Sequence, residues 1–129
     1  MKVTPKLIDG VLNSSPEKRY KHFVSVAADW GDVWCLRDSQ ARVCIEESSG
    51  STAFPVWPIR EFAELFLKGR KFLCTPERIA VDSFLSETLP LMEQSGKPIS
   101  VLPRADDQGL IVSPTKLAAD LQTEMERLG

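Results

Sequence analysis

The residue types able to do chemistry are few in this chain. It has one histidine, His22, and three cysteines, Cys35, Cys44 and Cys74. A catalytic triad would need His22 beside a nucleophile, and a zinc site would need it beside soft ligands. No two cysteines stand in a C-x-x-C spacing, and one histidine is too few for the common zinc sets. His22 falls off the apolar stripe of its segment, next to Lys18, Arg19 and Lys21, and is expected on the solvated surface. An odd number of cysteines without repeated spacing makes no disulfide framework; they read as small, buried, reduced residues. Cys35 and Cys44 form the one cross-strand pair worth testing for oxidation.

Two acidic pairs remain, Asp29 with Asp32 and Asp106 with Asp107. Either could hold a hard cation or act as an acid–base pair. Both stand where turns are expected, and aspartate favours turns for its own local hydrogen bonds. There is no P-loop, no G-x-G-x-x-G, no nucleophile elbow and no EF-hand loop. The sequence thus predicts no catalytic residue, no metal ligand and no cofactor.

Tryptophan offers a different chemistry. Trp30, Trp34 and Trp57 each bring a large apolar body and one N–H donor. Trp34 alternates with Leu36 on a strand and reads as core. Trp30 and Trp57 stand at the ends of elements, where exposure is more common. With Arg60 they are the candidate binding residues, lining a pocket at a helix–sheet junction.

Elements that would position these residues are marked by proline. Thr4-Pro5, Ser15-Pro16, Trp57-Pro58 and Ser113-Pro114 each precede helical apolar spacing, and proline at a first helical position loses no hydrogen bond. The spacing predicts helices over 5–12, 16–28, 58–68, 82–96 and 114–128, with Gly31, Gly69 and Gly96 as stops and Pro90 kinking or dividing the fourth. Ser14 with Glu17 is an alternative capping box for the second. Strands are expected over 33–37, 42–46 and 53–57. A hairpin turning at Ser39-Gln40 would place Trp34 opposite Ile45. A second hairpin joins 98–103 to 109–114, and 78–81 reads as a short edge strand. The segments "FPVWPIREFAELF" and "LIVSPTKLAADLQ" both read strand, proline, amphipathic helix. The fold class is α+β: a mainly antiparallel sheet of about five or six strands packed with four to five helices.

Composition agrees with one soluble domain. The 129 residues, 43% hydrophobic and 26% charged, suit a single globular domain over 1–129, residues 1–14 forming a helical extension. A net charge of −2 supplies no basic field for nucleic acid. No apolar run has the length of a membrane span or a signal peptide, and a cytoplasmic location is expected.

The order "VWCLRD", "FPVWPIREFAELF", "RIAVDSFLSETLPLMEQSGKPISVLP", "GLIVSPTKLAADL" resembles the small bacterial proteins grouped as domain of unknown function 2750. The likeness runs from about Tyr20 to Leu121. It is carried by Trp34, Leu36, Val56-Trp57-Pro58, Phe62-Ala63, Ile79, Phe84-Leu85, Leu89, Gly96 and Val101–Pro103. The pattern is more distantly similar to SseB-type domains. The resemblance implies architecture; no activity, cofactor or catalytic residue comes with it. The expected function is therefore a non-enzymatic module that binds another protein, with homo-oligomerisation open. The alternative is a small-ligand-binding protein or minor enzyme with a Trp-lined pocket.

Overall fold

A computed structural model describes residues 3–40, 46–48, 51–68 and 74–129. Helix α1 (Pro5–Leu12) is capped by Thr4, whose Oγ1 accepts from the Leu7 N–H at 3.1 Å. Helix α2 (Pro16–Trp30) is capped by Ser15, whose Oγ accepts from the Lys18 N–H at 3.2 Å. The alternative capping box is not used: Ser14 instead donates its hydroxyl to the Val11 carbonyl at 2.6 Å, tying the two helices together. Helix α2 stops at Gly31, whose left-handed φ of 80° is accessible to glycine at little cost.

Strand β1 (Asp32–Asp38) follows at once and pairs along its whole length with the antiparallel strand β4 (Cys74–Ala80). The expected short strand over 78–81 is thus the end of a longer one. The other strands form a separate sheet of β2 (Glu46–Ser48), β3 (Ser51–Val56), β5 (Ile99–Val101) and β6 (Leu110–Val112), in the order β2-β3-β5-β6. This corrects the expectation of one sheet of about five or six strands. The β2–β3 and β5–β6 ladders are antiparallel, and β3–β5 is parallel.

Pro55 explains the division. Phe54 donates to the Pro98 carbonyl and Val56 accepts from the Leu102 N–H, so residues 54 and 56 face β5. Residues 53, 55 and 57 face the opposite edge, where Ala53 pairs with β2 and Trp57 pairs with Trp34. Pro55 lies between these two partners and has no N–H to donate, so the ladder breaks there. The Trp34–Trp57 bridge, with N···O distances of 2.8 and 2.9 Å, is the join between the sheets. Trp34 therefore has Arg78 on one edge and Trp57 on the other, which leaves no edge for the expected pairing with Ile45. Residues 41–45, with the strand expected there and Cys44, lie outside the described residues.

Helix α3 (Arg60–Leu67) starts two residues later than Pro58 suggested, because Trp57 is still extended in its bridge and Ile59 is the N-cap. After β4 come helix α4 (Val81–Ser83), a π-helical turn (Phe84–Thr88) and helix α5 (Leu89–Gln94). In the wide turn the Leu89 N–H donates to the Phe84 carbonyl, five residues back. A proline ring cannot follow a regular turn without striking the carbonyl four residues before it, and the wide turn admits Pro90 at the start of α5. Helix α6 (Pro114–Leu128) has the expected bounds, with Ser113 as its cap. Among the described residues the chain is a mixed α+β fold with five helical segments, α4, the π-helical turn and α5 running on as one. The two strand–proline–helix segments end up flanking β5, with β3 on one side and β6 on the other.

The core gathers Phe23 and Ala27 of α2, Val33 and Cys35 of β1, Phe54, Val56 and Trp57, Phe62, Phe84, Ile99, Val101, Leu117 and Leu121. On β1 the fully buried alternation is Val33 and Cys35; Trp34 lies on the other face, half-buried beneath α3. Cys35 is a free thiol, and burial pushes its pKa up to about 11, so it is inert. Cys74 is disulfide-bonded, which corrects the expectation that all three thiols are reduced.

One charged side chain lies wholly inside. Arg19 is 0% exposed. Its Nε donates to the Leu102 carbonyl at 3.0 Å, Nη1 to the Ser14 carbonyl at 2.9 Å, and Nη2 to Asp107 Oδ1 at 2.9 Å. Asp107 Oδ2 accepts from Arg104 at 2.5 Å, and Arg104 donates its other terminal nitrogen to the Leu12 carbonyl. Leu102 has a φ of 54°, uncommon for a branched residue, and it turns the strand end toward Arg19. Gly109 closes the same hairpin: a Cβ there would lie 1.9 Å from the Val101 carbonyl oxygen.

Removing one partner of a buried ion pair costs about 3–5 kcal/mol. Arg19→Met takes the enclosed charge away and strands the Leu102 and Ser14 carbonyls, so it is expected to lower unfolding stability by about 1–3 kcal/mol in urea titrations. Asp107→Asn leaves the enclosed guanidinium without its countercharge and, at a site one-third open to water, should cost about 3 kcal/mol, the lower end of the ion-pair range. Equal stability of Arg19→Met and the natural chain would show that the network is not structural.

Candidate functional site

Helices α2 and α6 pack across a groove of about 610 Å³. The apolar stripe of α2 turns Tyr20 and Val24 toward it, and Leu110 of β6 adds to the floor. Both helices place charged residues on the rim: Glu17 and Lys21 from α2, and Lys116, Asp120 and Glu124 from α6. One apolar floor between rims of mixed charge follows from two amphipathic helices meeting along their apolar stripes.

A polar cluster crosses the groove. Tyr20 donates its hydroxyl to Asp120 Oδ2 at 2.5 Å. The Lys116 ammonium donates to the same oxygen at 3.0 Å and lies 5.6 Å from the Tyr20 ring centroid. Burial, then the hydrogen bond to Asp120 and its charge, push the Tyr20 phenol well above its ordinary value. Burial works to raise the Asp120 carboxyl as well, but the Tyr20 hydroxyl and Lys116 prevail and hold it below the usual range. A tyrosine held protonated donates hydrogen bonds and does not act as a base or nucleophile near neutral pH. The cluster therefore latches two helices and fixes the shape of the groove.

The residues singled out in the sequence lie elsewhere and apart. Trp57 is fully buried; its indole N–H donates to the Pro103 carbonyl at 3.1 Å and its ring packs 5.0 Å from Phe66. This corrects its assignment to a binding surface. Trp30 is 38% exposed at the end of α2. Arg60 lies over the Trp34 ring at 5.9 Å and within 3.8 Å of Glu64. Trp30, Trp57 and Arg60 do not line the α2–α6 groove. Asp32 pairs with Arg78, and Asp107 with Arg19 and Arg104, so these carboxylates serve the fold. No group of three or more metal-ligating side chains occurs among the described residues. Nor does any described helix have the length and apolarity to cross a membrane.

His22 is more enclosed than its neighbours in sequence suggest. It is half-buried, edge-on to Phe62 with ring centroids 6.1 Å apart, and burial lowers its pKa. The Tyr20–Asp120–Lys116 cluster was not foreseen at all. Lys116 and Asp120 do stand four apart, which aligns them on one face of α6, but nothing in the sequence points them at α2.

Fold and groove together define a small α+β domain with a helix–helix groove. The family described as Protein of unknown function (DUF2750) matches residues 20–121, and the chain belongs to that family. The match takes in Tyr20, Asp120 and the six described strands. No curated protein matches the chain.

Tyr20→Phe removes the hydroxyl from Asp120 and should cost about 1 kcal/mol. The folded-state pKa of Asp120 lies below its unfolded value, so its stabilisation is present above that value and fades as pH falls through the folded one. The variant's acid unfolding midpoint is accordingly expected at higher pH than the natural chain's. For His22 the folded pKa also lies below the unfolded 6.5, and the unfolded chain binds the extra proton. Stability measured by urea titration should fall as pH drops through 6.5, and His22→Gln should flatten that part of the profile.

Proposed function

We propose that this chain is a non-enzymatic protein-binding module and that the α2–α6 groove receives a segment of its partner. One observation carries the reading: a groove floored by Tyr20, Val24 and Leu110 lies between rims that present both signs of charge. Such a surface suits an amphipathic partner segment whose apolar side chains enter the groove while its charges meet Glu17, Lys21 and Glu124. The latch between Tyr20 and Asp120 keeps the groove preformed, which reduces the ordering cost of binding. A cytoplasmic, bacterial setting is part of the same proposal. A disulfide at Cys74 is unusual for that compartment, so a thiol count on freshly isolated protein bears on it.

The test is a peptide selection against the intact chain, followed by chemical-shift mapping of the best binders. Binding should perturb Val24, Ser25 and Leu110. Val24→Asp should weaken it at least about tenfold, as expected for a charge placed in an apolar contact. Thr75→Glu, on exposed β4, should leave it unchanged. Selected peptides that map to another face, or that bind Val24→Asp as tightly, would refute the reading.

A further inference from the structure

The groove between α1 and α2 has a character different from the one between α2 and α6. Its volume is about 540 Å³. Lys6 from α1 and Lys18 and His22 from α2 line it, above a floor that includes Leu7 and Val11. None of the described residues lining it carries a carboxylate. In a chain of net charge −2, a concave surface bearing only cationic and neutral side chains is an uneven distribution of charge. Glu17, although on the same helix as Lys18, lines the other groove.

Gly10 supplies the second observation. It lies inside α1, where glycine is a poor helix former, and it lines this groove. A Cβ built there meets nothing within 4 Å, so no close neighbour requires glycine. What its missing side chain does is leave the groove open beside Lys6, one helical turn away. Lys18 and His22 are likewise one turn apart on α2, so the two helices present paired positions to one space. Both walls are anchored: Arg104 holds the Leu12 carbonyl at the end of α1, and Arg19 holds the Ser14 carbonyl before α2.

We infer that the α1–α2 groove binds a small organic phosphate, with Lys6 and Lys18 at the phosphate oxygens and Leu7 and Val11 under its carbon skeleton. Lysine ammonium groups pair with phosphate as compact charges, and their hydrogen bonds to it are charge-assisted. His22 can donate one hydrogen bond while neutral. A bound phosphate beside it would favour its protonated form and raise the pKa that burial lowers. The site is separate from the partner groove, and Lys6, Gly10 and Lys18 lie outside the residues matched by the family.

The experiment titrates the full isotope-labelled chain with adenosine 5′-monophosphate, adenosine and inorganic phosphate, following amide shifts and the His22 ring protons. The monophosphate is expected to give saturable shifts across residues 4–22 and to raise the His22 titration midpoint; adenosine should do neither. Lys18→Glu should weaken binding at least about tenfold, as loss of one charge-assisted hydrogen bond implies. Gly10→Phe, which fills the groove and leaves its charges in place, should abolish binding, and unchanged circular dichroism would show that the fold is intact. Any of three results would overturn the proposal: no saturable shift up to about 10 mM, a range that covers millimolar affinity; equal affinity for adenosine or for inorganic phosphate; or full affinity in folded Gly10→Phe. Shifts confined to Tyr20, Leu110 and Asp120 would also overturn it while leaving the partner groove in place.

Discussion

A guanidinium enclosed by protein has to find a partner for each of its donors, and that requirement organises much of this molecule. Arg19 is covered completely, and its donors reach three different parts of the chain: the residue before α2, the end of β5 and the loop before β6. An isolated buried charge would cost many kcal/mol, so each contact has to be in place when the core closes. Asp107 supplies the countercharge and shares it with Arg104, which in turn reaches α1. Two arginines and one aspartate thereby fix how the first two helices sit on the β5–β6 hairpin.

The same hairpin end is held from the other side by Trp57, whose indole N–H takes the Pro103 carbonyl while its backbone pairs with Trp34. A tryptophan used in this way joins the two sheets at a bridge and is itself fully buried. On the helical side, α2 takes part in two grooves. One has an apolar floor and mixed charge, the other positive charge and an open glycine position. Tyr20 and His22 lie only two residues apart on α2, and that rotation of about 200° around the helix sends them to opposite sides.

Much of the architecture was legible along the chain because local rules decide it. Thr4-Pro5, Ser15-Pro16 and Ser113-Pro114 each unite a hydroxyl cap with a ring that suits the first helical position, and all three helices begin there. Pro58 has no hydroxyl before it and lies next to a paired tryptophan, so its helix begins later. Arg19 stands four residues before Phe23 and so falls on the buried stripe of α2. Periodicity indicated the position; its charge argued against burial, and only distant partners resolve that conflict. The candidate groove was legible in even smaller part. Tyr20 falls at the helical spacing of Phe23, Val24 and Ala27, whereas Lys116 and Asp120, four apart on α6, carry no sign of α2 in the sequence.

What the amino-acid order alone determined is most of the helices, three of their caps, most of their apolar faces and the α+β class, since these depend on contacts within a few residues. Tertiary structure decided the division into two sheets, which needed Pro55 to stand between two different strand partners. It also decided that Trp57 is interior, that Arg19 is paired, and that α2 meets α6 across Tyr20 and Asp120. Each of these joins groups tens of residues apart, and no local preference of the backbone encodes which distant group will arrive.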